Sequence, residues 1–170
     1  MKIVFLSTVC LVLSLLPYDL TANLPKPMRN KNSLSFENLK AYIRKHEGLR
    51  LKPYKCAGGY NTIGYGHVTK DSVNKITLDF AEKLLQIDVF DAYMIAVRDG
   101  FKYEKAYAVT HFIYALGCGA WAKSKLRKLI KSNAPITQIK KEWLKWVHIN
   151  GTANKTLLEM RAHELMWFQI

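Results

Sequence analysis

Several absences narrow what this chain can be. Cysteine occurs only three times in 170 residues. Cys10 lies in an apolar N-terminal run, which leaves Cys56 and Cys118. Two thiols allow one bridge at most, which excludes a disulfide scaffold and a cysteine zinc cage. Acid is scarce, with 13 Asp and Glu against 26 Lys and Arg, a formal net charge of +13. That surplus favours polyanionic partners such as nucleic acid, anionic lipid or a bacterial envelope, and charge alone does not choose among them. The uncharged run Ile3 to Leu16 ends at Pro17, short of the roughly 20 apolar residues that span a bilayer. His46-Glu47 and His163-Glu164 each lack a second histidine four positions after the first, so the zinc-helix motif is absent. There is no internal repeat and no low-complexity segment.

What is present suits a packed domain. The hydrophobic share is 49%, with four Trp, nine Tyr and seven Phe, which excludes whole-chain disorder. Residues 1–22 carry only Lys2 and Asp19, so the positive surplus belongs to the rest. A basic start, an apolar run and the small Thr21-Ala22 pair read as a cleaved signal peptide. A signal anchor that is released later is the competing reading. Either implies export, to the periplasm or beyond the cell, with transient membrane contact through this segment only. Residues 23–33, polar with Pro25 and Pro27, read as a linker. Residues 34–170 form the folded domain.

Helical spacing of Phe36, Leu39, Tyr42, Ile43 and His46 predicts a helix that starts at a serine cap near Ser35 and stops at Gly48. From Leu51 to His67, strand formers alternate with Gly58-Gly59, Gly64 and Gly66, which predicts a β-hairpin. Val68-Thr69 begins a third short strand. Thr77 caps a long helix to Val97, closed by Asp99-Gly100. Further helices are predicted over Glu104–Leu116, Ser124–Ser132, Ile136–Val147 and Lys155–Phe168. Breaks fall at Gly117-Cys118-Gly119, Asn133-Ala134-Pro135 and Asn150-Gly151. The fold class is α+β: a helix and small sheet lobe, joined by a long helix to a helical lobe.

The stretch His46–His67 holds one acid, Glu47. At a helix C-terminus a carboxylate meets the negative end of the dipole, which opposes ionisation. A carboxyl that stays protonated near neutral pH serves as a general acid; the plainer reading is a surface glutamate at a frayed end. For the hairpin, a three-residue Ala57-Gly58-Gly59 loop pairs Cys56 with Tyr60 and sets Cys56 and Thr62 on one face. A two-residue loop sets them on opposite faces, and spacing does not decide. Cys56 reads plainly as a small buried hydrophobe and Thr62 as an ordinary strand threonine.

Glu47-Gly48, Tyr54, Cys56 and Thr62-Ile63-Gly64-Tyr65-Gly66-His67 together resemble the catalytic segment of phage-type lysozymes, the family 24 glycoside hydrolases. Their pattern is Glu-Gly, a tyrosine-bearing strand, Asp or sometimes Cys, then Thr-x-Gly-x-Gly-His. The resemblance continues more weakly through Ile76–Val89, Phe112–Leu126 and the C-terminal helices, covering roughly residues 36 to 168. Two departures stand out. Ala115 replaces an Asn of the middle segment, and Thr156 and Met160 replace a Gly and an Arg near the C-terminus.

The resemblance implies a muramidase that hydrolyses the β-1,4 bond between N-acetylmuramic acid and N-acetylglucosamine. Glu47 then protonates the leaving oxygen, Cys56 lies across the sugar, and Thr62 holds the attacking water or helps place Cys56. Tyr114 and Ser124 match cleft-lining positions that bind substrate. The implied partner is peptidoglycan, acted on by a monomer with no metal, no cofactor and no nucleic acid; a phage-encoded protein would act in its host cell. An ordinary thiol has a pKa of about 8.5, so Cys56 is a poor general base and an intrinsically strong nucleophile. The sequence leaves inversion and retention open, and also whether Cys56 and Cys118 pair. His67 reads as structural, paired to an acid. Trp143, Trp146, Trp167 and Phe168 read as core. One alternative is an impaired lysozyme fold acting as a cationic envelope- or membrane-binding module, suggested by basic amphipathic runs such as KSKLRKLIKS. Another is a Cys56 peptide hydrolase with His46 or His111 as its base.

Overall fold

The computed structural model describes residues 35–56, 59–70, 73–149 and 151–168. The expected signal segment 1–22 and linker 23–33 lie outside the described residues. Among those described, no helix is long and apolar enough to cross a membrane.

Helix α1 spans Phe36–Glu47. Ser35 caps it, its Oγ accepting the Asn38 N–H at 3.1 Å. Gly48 ends it with φ 66 and donates its N–H to the Arg44 carbonyl at 3.0 Å. The buried stripe runs Phe36, Leu39, Ile43, Glu47. Glu47 therefore occupies the next core-facing position of an apolar face, four residues beyond Ile43.

Strands β1 (Arg50–Lys55), β2 (Asn61–Gly64) and β3 (His67–Val68) form an antiparallel sheet in that order. The third strand begins at His67, one residue earlier than the sequence suggests. Tyr54 pairs with Thr62 and Lys55 with Asn61, with an irregularity between Arg50 and Tyr54. Helix α2, Leu78–Arg98, is capped by Thr77, whose Oγ1 accepts the Phe80 N–H at 3.2 Å. The sheet sits close against α2: a Cβ at Gly64, where φ is 66, would lie 3.5 Å from the Ala81 Cβ. A Cβ there would make ordinary contact with the helix, so the cost of a side chain lies in the positive φ.

The helical lobe is built around α3, Tyr103–Leu116, which is buried continuously from Ala106 to Leu116. Helices α4 (Cys118–Lys123), α5 (Lys125–Lys131), α6 (Ile136–Trp143) and α7 (Lys155–Phe168) pack around it. The predicted break at Gly117-Cys118-Gly119 is instead the start of α4. Gly117 supplies the turn with φ 91, and the fully buried Trp121 holds the short helix down. Helix α6 stops at Trp143 rather than Val147, and a short strand β4 (His148–Ile149) pairs with β5 (Thr152–Ala153). Trp143 and Phe168 are core residues, while Trp146 and Trp167 are half-buried against it.

Candidate active site

The site begins where α1 meets the sheet. Glu47 is 8% exposed and its Oε2 has no hydrogen-bond partner among the described residues. Burial alone pushes its carboxyl up to about 8. The expected direction thus holds, but the dominant cause is desolvation of a core-facing side chain. Among the described residues no cation opposes it.

The hairpin register answers what spacing leaves open. The Cys56 N–H donates to the Tyr60 carbonyl at 3.0 Å, and Lys55 pairs with Asn61. Cys56 therefore pairs with Tyr60, and Tyr54, Cys56 and Thr62 share one face of the sheet. Cys56 is buried, and Thr62 is fully buried. The Thr62 hydroxyl donates to the Tyr60 carbonyl at 3.2 Å. That same carbonyl pins the Cys56 backbone, so Thr62 braces the strand that carries the thiol. Cys56 and Cys118 are not bridged to each other.

Tyr54 belongs to this group. Its phenol is pushed up to about 12, first by burial and then by the charges of Glu47 and Cys56, with Arg50 opposing. The Arg50 guanidinium lies 4.4 Å from its ring centre. Tyr54 thus lies within the field of both Glu47 and Cys56. Period-two alternation from Cys56 back to Tyr54 is the sequence signal that could have placed it there.

Tyr114 is buried and donates its hydroxyl to the Tyr65 carbonyl at 2.6 Å. Burial first, then Asp88 and Glu47, hold its phenol well above the usual range. Ser124 caps α5: its Oγ accepts the Arg127 N–H at 3.0 Å and donates to the Trp121 carbonyl at 2.8 Å. Both hydroxyl protons are thus committed within the protein.

His67 behaves as expected. Its Nδ1 lies 2.9 Å from Asp88 Oδ2, which ties β3 to α2. Burial lowers its pKa, but the hydrogen bond and charge of Asp88 outweigh this and raise it. Asp88 was legible as an acid on the Ala81, Leu85, Ala92 face of α2. His46 and His111, the two candidate bases for Cys56, make contacts with other groups. The His46 ring lies 4.3 Å from that of Tyr42, and His111 bonds Glu164. Among the described residues no cluster could hold a metal ion.

The phage lysozyme family profile matches residues 44–164. An endolysin of Acyrthosiphon pisum secondary endosymbiont phage 1 is 27% identical over 135 residues, spanning 75% of this chain and 92% of the relative. The muramidase domain of SpmX from Asticaccaulis excentricus shares the fold at TM-score 0.64 and 23% identity, covering 78% of this chain and 95% of that one. A P22 lysozyme point mutant gives 0.59 and 26%, covering 78% and 96%. The endolysin of Escherichia coli O157:H7 phage FAHEc1 gives 0.59 and 26%, covering 83% and 96%. With the profile spanning most of the chain, and Glu47, Cys56 and Thr62 within it, this protein belongs to the phage lysozyme family.

Proposed function

We propose that this lysozyme-like peptidoglycan glycosidase is a muramidase in which Glu47 is the general acid. One observation carries the reading: Glu47 is a buried carboxyl with an unpartnered oxygen, raised to about 8. Such a group is protonated at neutral pH and can donate to a glycosidic oxygen. Cys56 acts from the hairpin face. Thr62 works through the Tyr60 carbonyl to hold Cys56 in place, rather than by activating water itself. Tyr114 and Ser124 support the walls of the site. The charge of +13 favours approach to an anionic wall. The uncharged run Ile3 to Leu16 supports export before that encounter.

Two steps are open to Cys56. As a nucleophile, its thiolate attacks the anomeric carbon while Glu47 protonates the departing oxygen. Water, deprotonated by Glu47, then cleaves the glycosyl-thiol. As a spacer, it orients a water that attacks directly while Glu47 protonates the departing oxygen, the proton of the water passing to bulk solvent. Retention of the anomer marks the first and inversion the second. Mass analysis of purified peptidoglycan digested by the protein tests the whole reading. Reducing ends on N-acetylmuramic acid are the expected product, and cleavage only of peptide bonds would overturn it. NMR of the first anomer formed by the wild type assigns the step. Cys56→Asp should keep substantial activity, whereas Cys56→Ala should lose most of it.

A further inference from the structure

The end of the helical lobe remote from Glu47 carries a second surface. Residues 117–149 hold eight Lys and Arg against the single acid Glu142. Arg127 is held by Asp99 and Lys145 by Glu142. Lys128 and Lys140 are exposed, with no carboxylate partner among the described residues. Beside them lies an open groove of about 480 Å³ with an apolar floor that includes Phe101, Ile130, Ile139 and Phe168. Lys105 and Lys131 also line it, and so does Ile136, which is 50% exposed. Lys128 lies three residues from Lys131, and Lys140 four from Ile136, so each shares a helix face with its groove residue. Between Phe101 and Lys105 in the chain, Tyr103 is 64% exposed and held at φ 53. That conformation is costly for an aromatic residue.

We infer that this face docks on an anionic lipid bilayer. A hydrated phosphate polymer would engage the lysines alone and leave the apolar floor, Ile136 and Tyr103 in water. A bilayer satisfies both sets. Its headgroups meet Lys105, Lys128 and Lys140, its acyl boundary receives Ile136, and an amphipathic tyrosine suits the interface between them. The placement also fits the chemistry. Asp99 is about 27 Å along α2 from Ala81, where the sheet packs. Docking at this end leaves the Glu47 site well away from the lipid. It adds a second membrane contact to the transient one expected of the N-terminal segment, and it does not depend on the bond that the enzyme cleaves.

The test is co-sedimentation of the full chain with vesicles of phosphatidylglycerol and phosphatidylcholine, against phosphatidylcholine alone. The triple variant Lys105→Gln, Lys128→Gln, Lys140→Gln should bind anionic vesicles about 100-fold more weakly, at about fivefold per cation. Ile136→Asp should weaken binding about tenfold. Both should keep wild-type hydrolysis of purified peptidoglycan and a wild-type melting profile. Should Ile136→Asp misfold, Ile136→Ser measures the same apolar contact. If both classes of variant bind like wild type, the N-terminal segment carries the binding and the proposal falls. It also falls if only the lysine variant weakens and soluble poly(glycerol phosphate) displaces all binding, which would mark a wall-polymer surface.

Discussion

Glu47 and Glu164 are both buried, and the chain treats them in opposite ways. Glu164 receives His111 Nδ1 at 2.5 Å and Arg161 Nη2 at 2.7 Å on one oxygen, and Trp143 Nε1 at 2.6 Å on the other. It ties α3, α6 and α7 together, and the Arg161 guanidinium rests 4.9 Å from the Phe112 ring centre. Glu47 sits at the end of one helix with an oxygen that nothing among the described residues satisfies. Burial favours the neutral acid at Glu47, whereas at Glu164 the Arg161 cation and two further donors surround the carboxylate. A fully bonded buried carboxylate stabilises a fold. A bare one costs stability and is retained where its proton is used.

The largest difference should appear on exchanging each for its amide. Glu47→Gln keeps the shape and removes the transferable proton. Activity on peptidoglycan should fall by about 10²–10⁴-fold, with stability at neutral pH unchanged or improved. The pH dependence follows from the raised pKa. The folded state holds the Glu47 proton up to about 8, whereas an unfolded glutamate releases it near 4.3. Folded chains therefore bind more protons between those limits, and this contribution to stability is lost as pH rises through that window. Glu47→Gln should flatten this slope in urea melts between pH 5 and 8, and in the wild type hydrolysis should decline above about pH 8. An equally steep slope in the variant would assign it to other groups. A fully active Glu47→Gln would sink the general-acid reading.

Glu164→Gln should do the reverse. It leaves Arg161, already short of partners at Nε and Nη1, as a buried charge without its counter-ion. Removing one partner from such a pair costs about 3–5 kcal/mol. Thermal unfolding should show the loss. kcat/KM measured well below the new midpoint should change far less than in Glu47→Gln. If activity fell as far while the fold held, the contrast between the two glutamates would be broken.

His67 and Asp88 stand between these extremes, with Asp88 buried and the His67 side chain 21% exposed. Asp88→Asn should cost about 1.5–3 kcal/mol at pH 6, the range for a hydrogen bond to a charged group. Because the folded pKa of His67 is raised, its contribution is complete below the unfolded value near 6.5. It fades as pH rises through the folded value. Burial raises the Asp88 pKa despite the histidine, so the aspartate adds a loss of its own as pH climbs above about 4. The gap between wild type and variant should therefore narrow from pH 6 to pH 9, and a constant gap would mean that charge plays no part.

What the sequence made legible was local. Ser35 and Thr77 signal their caps within three residues of the amides they bond. Gly48 ends α1 where the stripe of Phe36, Leu39 and Ile43 ends. The hairpin face depended on loop length, and only the Cys56–Tyr60 hydrogen bond decides it. Helix α4 was hidden because Gly117 and Gly119 read as a break, while the burial of Trp121 that overrides them is a tertiary fact. The same holds for Glu164, whose partner His111 is 53 residues away in sequence. Nothing local distinguishes His163-Glu164 from His46-Glu47, yet one glutamate is compensated and the other is not.

Ser124 offers the smallest and most discriminating test. Its hydroxyl joins the end of α4 to the start of α5 by one bond accepted and one donated. Ser124→Ala removes both and should cost about 1 kcal/mol, the usual effect of a lost cap. Activity should fall slightly, through loosening of the lobe. Ser124→Asp keeps an acceptor for the Arg127 amide, and its charge suits the N-terminus of α5. It should restore both stability and KM if the serine acts as a cap. A direct hydrogen bond from Ser124 to a sugar would behave differently, since an ionised aspartate has no proton to donate to it. A raised KM that persists in Ser124→Asp, with the melting midpoint recovered, would therefore move Ser124 from the scaffold of the site to its substrate surface.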